Sequence, residues 1–113
     1  LVYEKSTQKL IGRVGIENRE IDGILRQELG YVIGKNYQHK GYAYEAAKAV
    51  LKYAKEELFL DEMFICVQKD NIPSIALAKK LGFTRYGEAQ EFVLYHYYIP
   101  TSNEENSHIY MDI

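Results

Sequence analysis

The sequence lacks the features that mark secreted, membrane-spanning or nucleic-acid-coating proteins. Its single cysteine, Cys66, cannot form an internal disulfide and excludes a metal site built from several cysteines. No apolar run approaches the roughly 20 residues of a membrane span, and no signal-peptide pattern opens the chain. The 14 basic and 16 acidic residues give a net charge of −2, so a basic surface for nucleic acid is missing. We therefore expect a cytoplasmic protein without a metal, a membrane or a nucleic-acid partner.

The length and composition indicate one globular domain over residues 1–113. The chain is 47% hydrophobic and 27% charged, and about two-thirds of the surface of a chain of this size becomes buried on folding. No repeat or flexible linker divides it. Because it begins at Leu1 rather than at a methionine, we expect a fragment of a longer protein.

Hydrophobic spacing predicts a mixed α/β domain. Ala43–Leu58 carries apolar residues at intervals of three and four and is predicted to be a helix. Met63–Val67 is a continuous apolar run, typical of a strand covered on both faces. A second helix is predicted from Asp70 or Asn71 to Leu81. The remaining predicted strands are Leu1–Glu4, Lys9–Glu17, Glu28–Ile33, the segment from Phe83 through Leu94, and His108–Asp112.

The order of these elements predicts a sheet that is antiparallel at both ends, with a parallel strand–helix–strand crossover in the middle. The polar stretch Asn18–Gln27, which contains Asp22-Gly23, is predicted to be a connection rather than a strand.

The loop before the first helix is the strongest candidate for a ligand site. The backbone N–H groups at a helix N-terminus are unpaired and attract phosphate, and Gly41 would let a diphosphate approach the backbone. The loop and the first helical residues are Gln38, His39, Lys40, Gly41, Tyr42 and Ala43. The alternative is an ordinary strand–turn–helix junction, in which the glycine only permits the turn. Neither of the common glycine-rich nucleotide motifs occurs.

Two segments of the chain resemble signature motifs of the GCN5-related N-acetyltransferase (GNAT) family. Gln38-x-x-Gly41-x-Ala43 is similar to the family's acetyl-CoA motif, and ELGYVI (28–33) resembles the strand before it. Asn71 to Phe83 resembles a later family segment, in which Asn opens a helix that ends in Leu-Gly-Phe. The Asn-x-x-Ser opening is similar to the branch that acetylates ribosomal-protein N-termini.

This resemblance implies that acetyl-CoA is the co-substrate and that no metal is needed. The diphosphate would lie on the amides from Gln38 to Ala43, and the pantetheine arm between the strands Glu28–Ile33 and Met63–Val67. Backbone N–H groups near Val32 and Ile33 would face the thioester carbonyl. Asn71 would hydrogen-bond the cofactor arm, or act only as a helix cap.

The resemblance also implies two proton-transfer groups. Glu28 is the candidate base that deprotonates the acceptor amine, with a solvated strand-end residue as its alternative role. Glu62, Glu88, Glu91 and bulk water are the next candidates. The position of the family's tyrosine acid is occupied here by Ala78, so Ser74, one turn earlier, or solvent would protonate the leaving thiolate.

The function implied is acetyl transfer to a primary amine of a protein N-terminus or a small molecule; the alternative is a non-catalytic acyl-CoA-binding module of a larger protein. The family's domain normally starts with one strand and two helices before the hairpin found here. The resemblance therefore implies an N-terminally truncated N-acetyltransferase domain. Its first strand would form a sheet edge, through which two copies could associate.

Overall fold

The computed structural model describes residues 1–34 and 41–100, together with the backbone of 109–111. Two helices and seven strands occur in this part of the chain. They are β1 (Val2–Glu4), β2 (Leu10–Ile21), β3 (Ile24–Ile33), α1 (Tyr42–Glu56), β4 (Glu62–Gln68), α2 (Ile72–Lys80), β5 (Thr84–Ala89), β6 (Phe92–Tyr98) and β7 (Ile109–Met111).

The strands form one mixed sheet in the order β5-β6-β4-β3-β2-β1-β7. Every neighbouring pair with a described register is antiparallel except β3 and β4, which α1 connects as a parallel crossover. This confirms the mixed α/β fold predicted from the sequence. Neither helix in the described part of the chain has the length and apolar composition needed to cross a membrane.

The predicted connection at Asn18–Gln27 is wrong, because most of it belongs to a long hairpin. β2 and β3 pair continuously from Gly12–Ile33 to Ile21–Ile24. Asp22 (φ 52°) and Gly23 (φ 76°) form the whole connection, and two residues at positive φ are typical of a tight hairpin turn. The side chains of this segment are mostly exposed, so it lacks the apolar alternation by which a strand is recognised.

The segment from Phe83 through Leu94 was predicted as one strand and is in fact a hairpin. β5 and β6 pair antiparallel from Thr84–His96 to Ala89–Phe92. Gln90, with φ 55°, reverses the chain between them. The polar sequence of this turn contains neither glycine nor proline, which explains why it was missed.

The N-terminal strand is not a sheet edge, which corrects the expectation that it would form one. β1 pairs with β2 on one side and with β7 on the other, where Val2 lies opposite Met111. The backbone groups of β1 are therefore used within the chain, and the physical reason for association through this strand is removed.

The two faces of the sheet differ in what covers them. α1 and α2 both pack on one face, where Leu29, Met63 and Ile65 join the main core with Ala47 and Ala78 of the helices. On the other face, a smaller cluster contains Ile21, Phe64 and Leu94, and neither described helix covers it. We call this second surface the helix-free face. Because side chains alternate along a strand, Glu28, Gly30 and Val32 of β3 lie on it.

Gly82 ends α2 and turns the chain into β5. Its φ is +98°, and a Cβ atom there would lie 3.0 Å from Cε1 of Tyr97. L-residues with side chains are strained at such a φ. Glycine is therefore required both by the backbone conformation and by the ring beside it.

We expect Gly82→Ala to lower the free energy of unfolding by about 1–2 kcal/mol, because it adds backbone strain and a close contact. Gly87→Ala is the matched control, since a Cβ at Gly87 would meet no atom within 4 Å. Urea unfolding of both variants measures the difference. Equal stabilities would show that Gly82 is not constrained.

Candidate active site

The gap between β3 and β4 is the central feature of the candidate site. These parallel strands are bridged only at Glu28 and Phe64, so the residues of both strands nearer their carboxyl ends are not paired with each other. α1 follows β3 and α2 follows β4, so both helices begin near the edge where the gap opens. A narrow molecule could therefore reach between the strands from the helical side.

Glu28 lies at the closed end of this gap, on the helix-free face. Its side chain is only 9% exposed, and its Oε2 lies 2.6 Å from Nε of Arg19 on β2. Burial raises the pKa of Glu28 above the ordinary value, and the nearby charge of Glu17 acts in the same direction, whereas the positive charge of Arg19 opposes the shift. The backbone of Cys66 on β4 also acts to lower the pKa of this carboxylate. The result is a carboxyl group with raised proton affinity at the end of the gap.

The amides predicted to face the thioester carbonyl point in different directions. The Gly34 N–H donates to the carbonyl of Ile11 on β2 at 2.7 Å. Because backbone N–H groups alternate along a strand, the Val32 N–H also points to β2, and that of Ile33 points to the β4 side. Of the two predicted amides, only that of Ile33 is therefore directed towards the gap.

The start of α1 has the geometry expected of an anion site. Gly41 is the N-cap, with φ 77°, and has no side chain with which to cap the first turn. Among the described residues, no atom lies within 4 Å of a Cβ built at Gly41. The N–H groups of Tyr42 and Ala43 belong to this first turn, where backbone donors lack intrahelical acceptors. The predicted binding residues Gln38, His39 and Lys40 lie outside the described residues.

A buried carboxylate holds the first residue of α1, a contact that the sequence did not reveal. The Tyr42 hydroxyl donates to Oε2 of Glu4, and the Thr7 hydroxyl donates to Oε1 at 2.8 Å. Glu4 is 6% exposed. β1 therefore positions the start of α1. Glu4 belongs to no recognised sequence motif, so its contact with Tyr42 could not be predicted from the sequence.

The first turn of α2 contains the other predicted residues. The Asn71 side-chain oxygen accepts the Ser74 N–H at 3.2 Å, which leaves the amide NH₂ group as a donor that the cap does not use. Ser74 is half-buried, and its carbonyl accepts the Tyr31 hydroxyl of β3 at 3.2 Å. This bond ties β3 to α2 across the gap. Ala78, one turn later, is fully buried and has no proton to donate.

The alternative bases lie elsewhere on the sheet. Glu62 is paired with Arg26 and His96, each at 3.1 Å. Glu88, on β5, lies 3.1 Å from Lys69, whose charge and hydrogen bond lower the pKa of Glu88. Glu91 is exposed in the turn before β6. None of the three lies at the gap, and Glu28 is the acidic residue placed there in the described part of the chain.

Comparison with known proteins identifies the family. A family model described as the acetyltransferase (GNAT) domain matches residues 1–84, and the chain belongs to this family. The N-acetyltransferase YnaD of Bacillus subtilis is 47% identical over 60 residues, which are 53% of this chain and 35% of YnaD. The crystal structure of an acetyltransferase from Agrobacterium tumefaciens has a TM-score of 0.70 and 33% identity, covering 81% of this chain and 55% of that one.

Relatives with named acceptors differ in what they acetylate. The spermidine N(1)-acetyltransferase of Escherichia coli is 36% identical, over 65% of this chain and 40% of its own length. The ribosomal protein uS5-alanine N-acetyltransferase of E. coli is 26% identical, over 82% of this chain and 48% of its own. The chain thus spans about a third to a half of the curated relatives it matches. The ribosomal-protein acetyltransferases predicted from Asn-x-x-Ser are among these relatives.

Burial and the charge of Arg19 shift the pKa of Glu28 in opposite directions, and titration can separate the two effects. We expect the midpoint of the Glu28 carboxyl to lie above that of an ordinary glutamate, and Arg19→Gln to raise it further, because a stabilising positive charge is lost. Carbon-detected NMR measures the midpoint directly. Arg85→Gln, which removes a partner of the distant Glu88, is the control and should leave Glu28 unchanged. A wild-type midpoint at or below the ordinary value would contradict this account.

Proposed function

We propose that the protein transfers an acetyl group from acetyl-CoA to a primary amine. The observation that carries the proposal is the gap between β3 and β4, which has the helix starts on one face and the buried Glu28 carboxylate on the other. A thioester entering from the helical side would meet the acceptor amine at the end of the gap. The described chain would be part of a longer acetyltransferase domain that works in the cytoplasm.

The residues present fit acetyl-CoA as co-substrate. The glycine N-cap of α1, with no described atom close to where a Cβ would lie, and the first turn that follows it suit a diphosphate, and we assign Gln38 to Ala43 to this contact. Lys48 and Lys80 both lie over the Tyr44 ring, where the two helices meet, and they add positive charge near this start. The Asn71 amide would donate to the cofactor arm, and the Ile33 N–H would face the thioester carbonyl.

Glu28 would remove a proton from the acceptor ammonium, because the neutral amine is the nucleophile. Its raised pKa suits this role, since proton transfer is most efficient when the pKa of the base lies near the working pH. When the C–S bond breaks, the sulfur takes up a proton. We assign this to the Ser74 hydroxyl or to solvent, because Ala78 cannot supply it.

The buried Ala78 favours a second candidate function, a module that binds acyl-CoA without turning it over. Both functions predict cofactor binding, and only the first predicts release of the thiol in the presence of an amine. Relatives named for spermidine and for a ribosomal protein support an amine acceptor. They leave open whether that amine belongs to a small molecule or to a peptide.

We expect Gly41→Asp to abolish CoA binding, because it adds bulk and negative charge where the phosphates would lie. Gly41→Asn is the matched control: it has nearly the same size and tolerates positive φ, and it should retain part of the affinity. Titration calorimetry on folded variants measures both. Equal CoA affinity in Gly41→Asp and the wild type would overturn the assignment.

We expect Glu28→Gln to reduce turnover by roughly 10²-fold while CoA affinity stays the same, because the shape is kept and the base is lost. Glu88→Gln, far from the gap, should behave as the wild type. Thiol release with a panel of primary amines measures turnover. If the acidic limb of the pH–rate profile is the same in Glu28→Gln and the wild type, Glu28 is not the base.

A further inference from the structure

Tyr31 is the hydroxyl-bearing residue of β3 and β4, the two strands that border the gap and that the structure describes along their whole length. It lies three residues beyond the bridge at Glu28, about 10 Å further along the strand. Its side chain packs against the main core, to which Leu29 on the same face belongs. Its hydroxyl donates to the Ser74 carbonyl at 3.2 Å. The phenol therefore lies beside the unbridged part of the gap, next to the first turn of α2.

Tyr31 and Glu28 project to opposite faces of the sheet. They are an odd number of residues apart on one strand, so Glu28 lies on the helix-free face and Tyr31 on the helical face. Acetyl transfer needs a base at the amine and is helped by an acid at the sulfur. With a thioester that enters from the helical side, the sulfur would lie on the Tyr31 side and the acetyl group would point towards Glu28. Each side chain is therefore on the face where its proton transfer is needed.

We propose that the Tyr31 hydroxyl donates the proton that the leaving sulfur takes up. The amine nitrogen forms the new bond to the acetyl carbon, the C–S bond breaks, and the phenol proton moves to sulfur. The nitrogen releases two protons: one goes to Glu28 before the attack, and the other restores the phenol through water. One proton per turnover then passes from Glu28 to solvent. The inference rests on the proposed function and names Tyr31 as the acid in place of Ser74 or solvent.

The surroundings of Tyr31 support this role. Burial raises the pKa of Tyr31 above the ordinary value of about 10, so the phenol keeps its proton at a pH where a thiol, with an ordinary pKa of about 8.5, ionises. A phenol is also a far stronger acid than the aliphatic hydroxyl of Ser74. When the Tyr31 hydroxyl turns from Ser74 to the sulfur, the Ser74 carbonyl keeps a partner, because in an α-helix it also accepts the N–H four residues on, at Ala78.

A binding experiment tests the contact with sulfur without requiring turnover. A neutral phenol stabilises a bound thiolate by a charge-assisted hydrogen bond, and desulfo-CoA lacks the sulfur atom. Near pH 9, just above the ordinary pKa of a thiol, the preference for CoA over desulfo-CoA should be about tenfold greater in the wild type than in Tyr31→Phe. Titration calorimetry measures both affinities. Tyr97→Phe on β6, which changes another half-buried tyrosine packed on the same core, should keep the wild-type preference.

Turnover tests the proton transfer itself. Tyr31→Phe should lower kcat roughly 10²-fold and leave the affinity for desulfo-CoA unchanged, because the ring and its packing are kept. Replacing Tyr31 with 3-fluorotyrosine keeps the hydroxyl but lowers the pKa of the phenol. Activity that needs the protonated phenol is lost as the pH rises through this pKa, so the alkaline limb of the kcat profile should move to lower pH. A merely structural role would leave the limb in place.

An equal preference for CoA over desulfo-CoA in the wild type and Tyr31→Phe would overturn the contact with sulfur. A wild-type kcat in Tyr31→Phe, or an alkaline limb that fluorination does not move, would overturn the proton donation. Binding of CoA with the expected dependence on Tyr31 but without thiol release would support the contact and contradict the proposed transfer. If neither CoA nor desulfo-CoA binds, both proposals are wrong. Circular dichroism verifies the fold of each variant.

Discussion

The single backbone bridge between Glu28 and Phe64 is the constraint on which the site depends. It joins the half of the sheet formed by β4, β5 and β6 to the half formed by β3, β2, β1 and β7. Beyond it, towards the carboxyl ends, β3 and β4 are not bridged again. The residue that ends the pairing is therefore also the one with a carboxylate at the opening. Glu28 therefore both forms the last bridge between the two strands and carries the acidic group beside it.

Side chains on the helix-free face hold this bridge in place. Phe64 is 2% exposed although no described helix covers it, because the Arg26 guanidinium lies 5.0 Å over its ring and the Tyr86 and His96 rings pack against it. Glu62 binds both Arg26 and His96. Contacts of this kind between charged groups and rings substitute for an apolar layer. They fix the closed end of the gap while its far end stays open.

The sequence predicted the central crossover well and the hairpins poorly, for one physical reason. The apolar residues buried by α1 and β4 show where these two elements lie, and cap residues mark both ends of α2. The outer half of the β2–β3 hairpin is mostly exposed, with Ile21 as its buried apolar residue, and has no such pattern. Arg19 was missed as a consequence: its contact with Glu28, nine residues away, depends on a strand register that the turn at Asp22-Gly23 sets. Glu28 itself was predicted only from the family resemblance, because carboxylates near this strand often serve as bases in related enzymes.

The position of Arg19 reconciles two demands on Glu28 that otherwise conflict. A base needs a raised pKa, which burial supplies, but a buried carboxylate without a partner is costly to the fold. A partner fixed inside the core would lower the pKa more strongly, because its charge would be less screened by solvent. Arg19 lies on the solvent side instead: its side chain is 45% exposed, whereas that of Glu28 is 9% exposed. Its positive charge therefore opposes the effect of burial without cancelling it, and the pKa of Glu28 stays above the ordinary value.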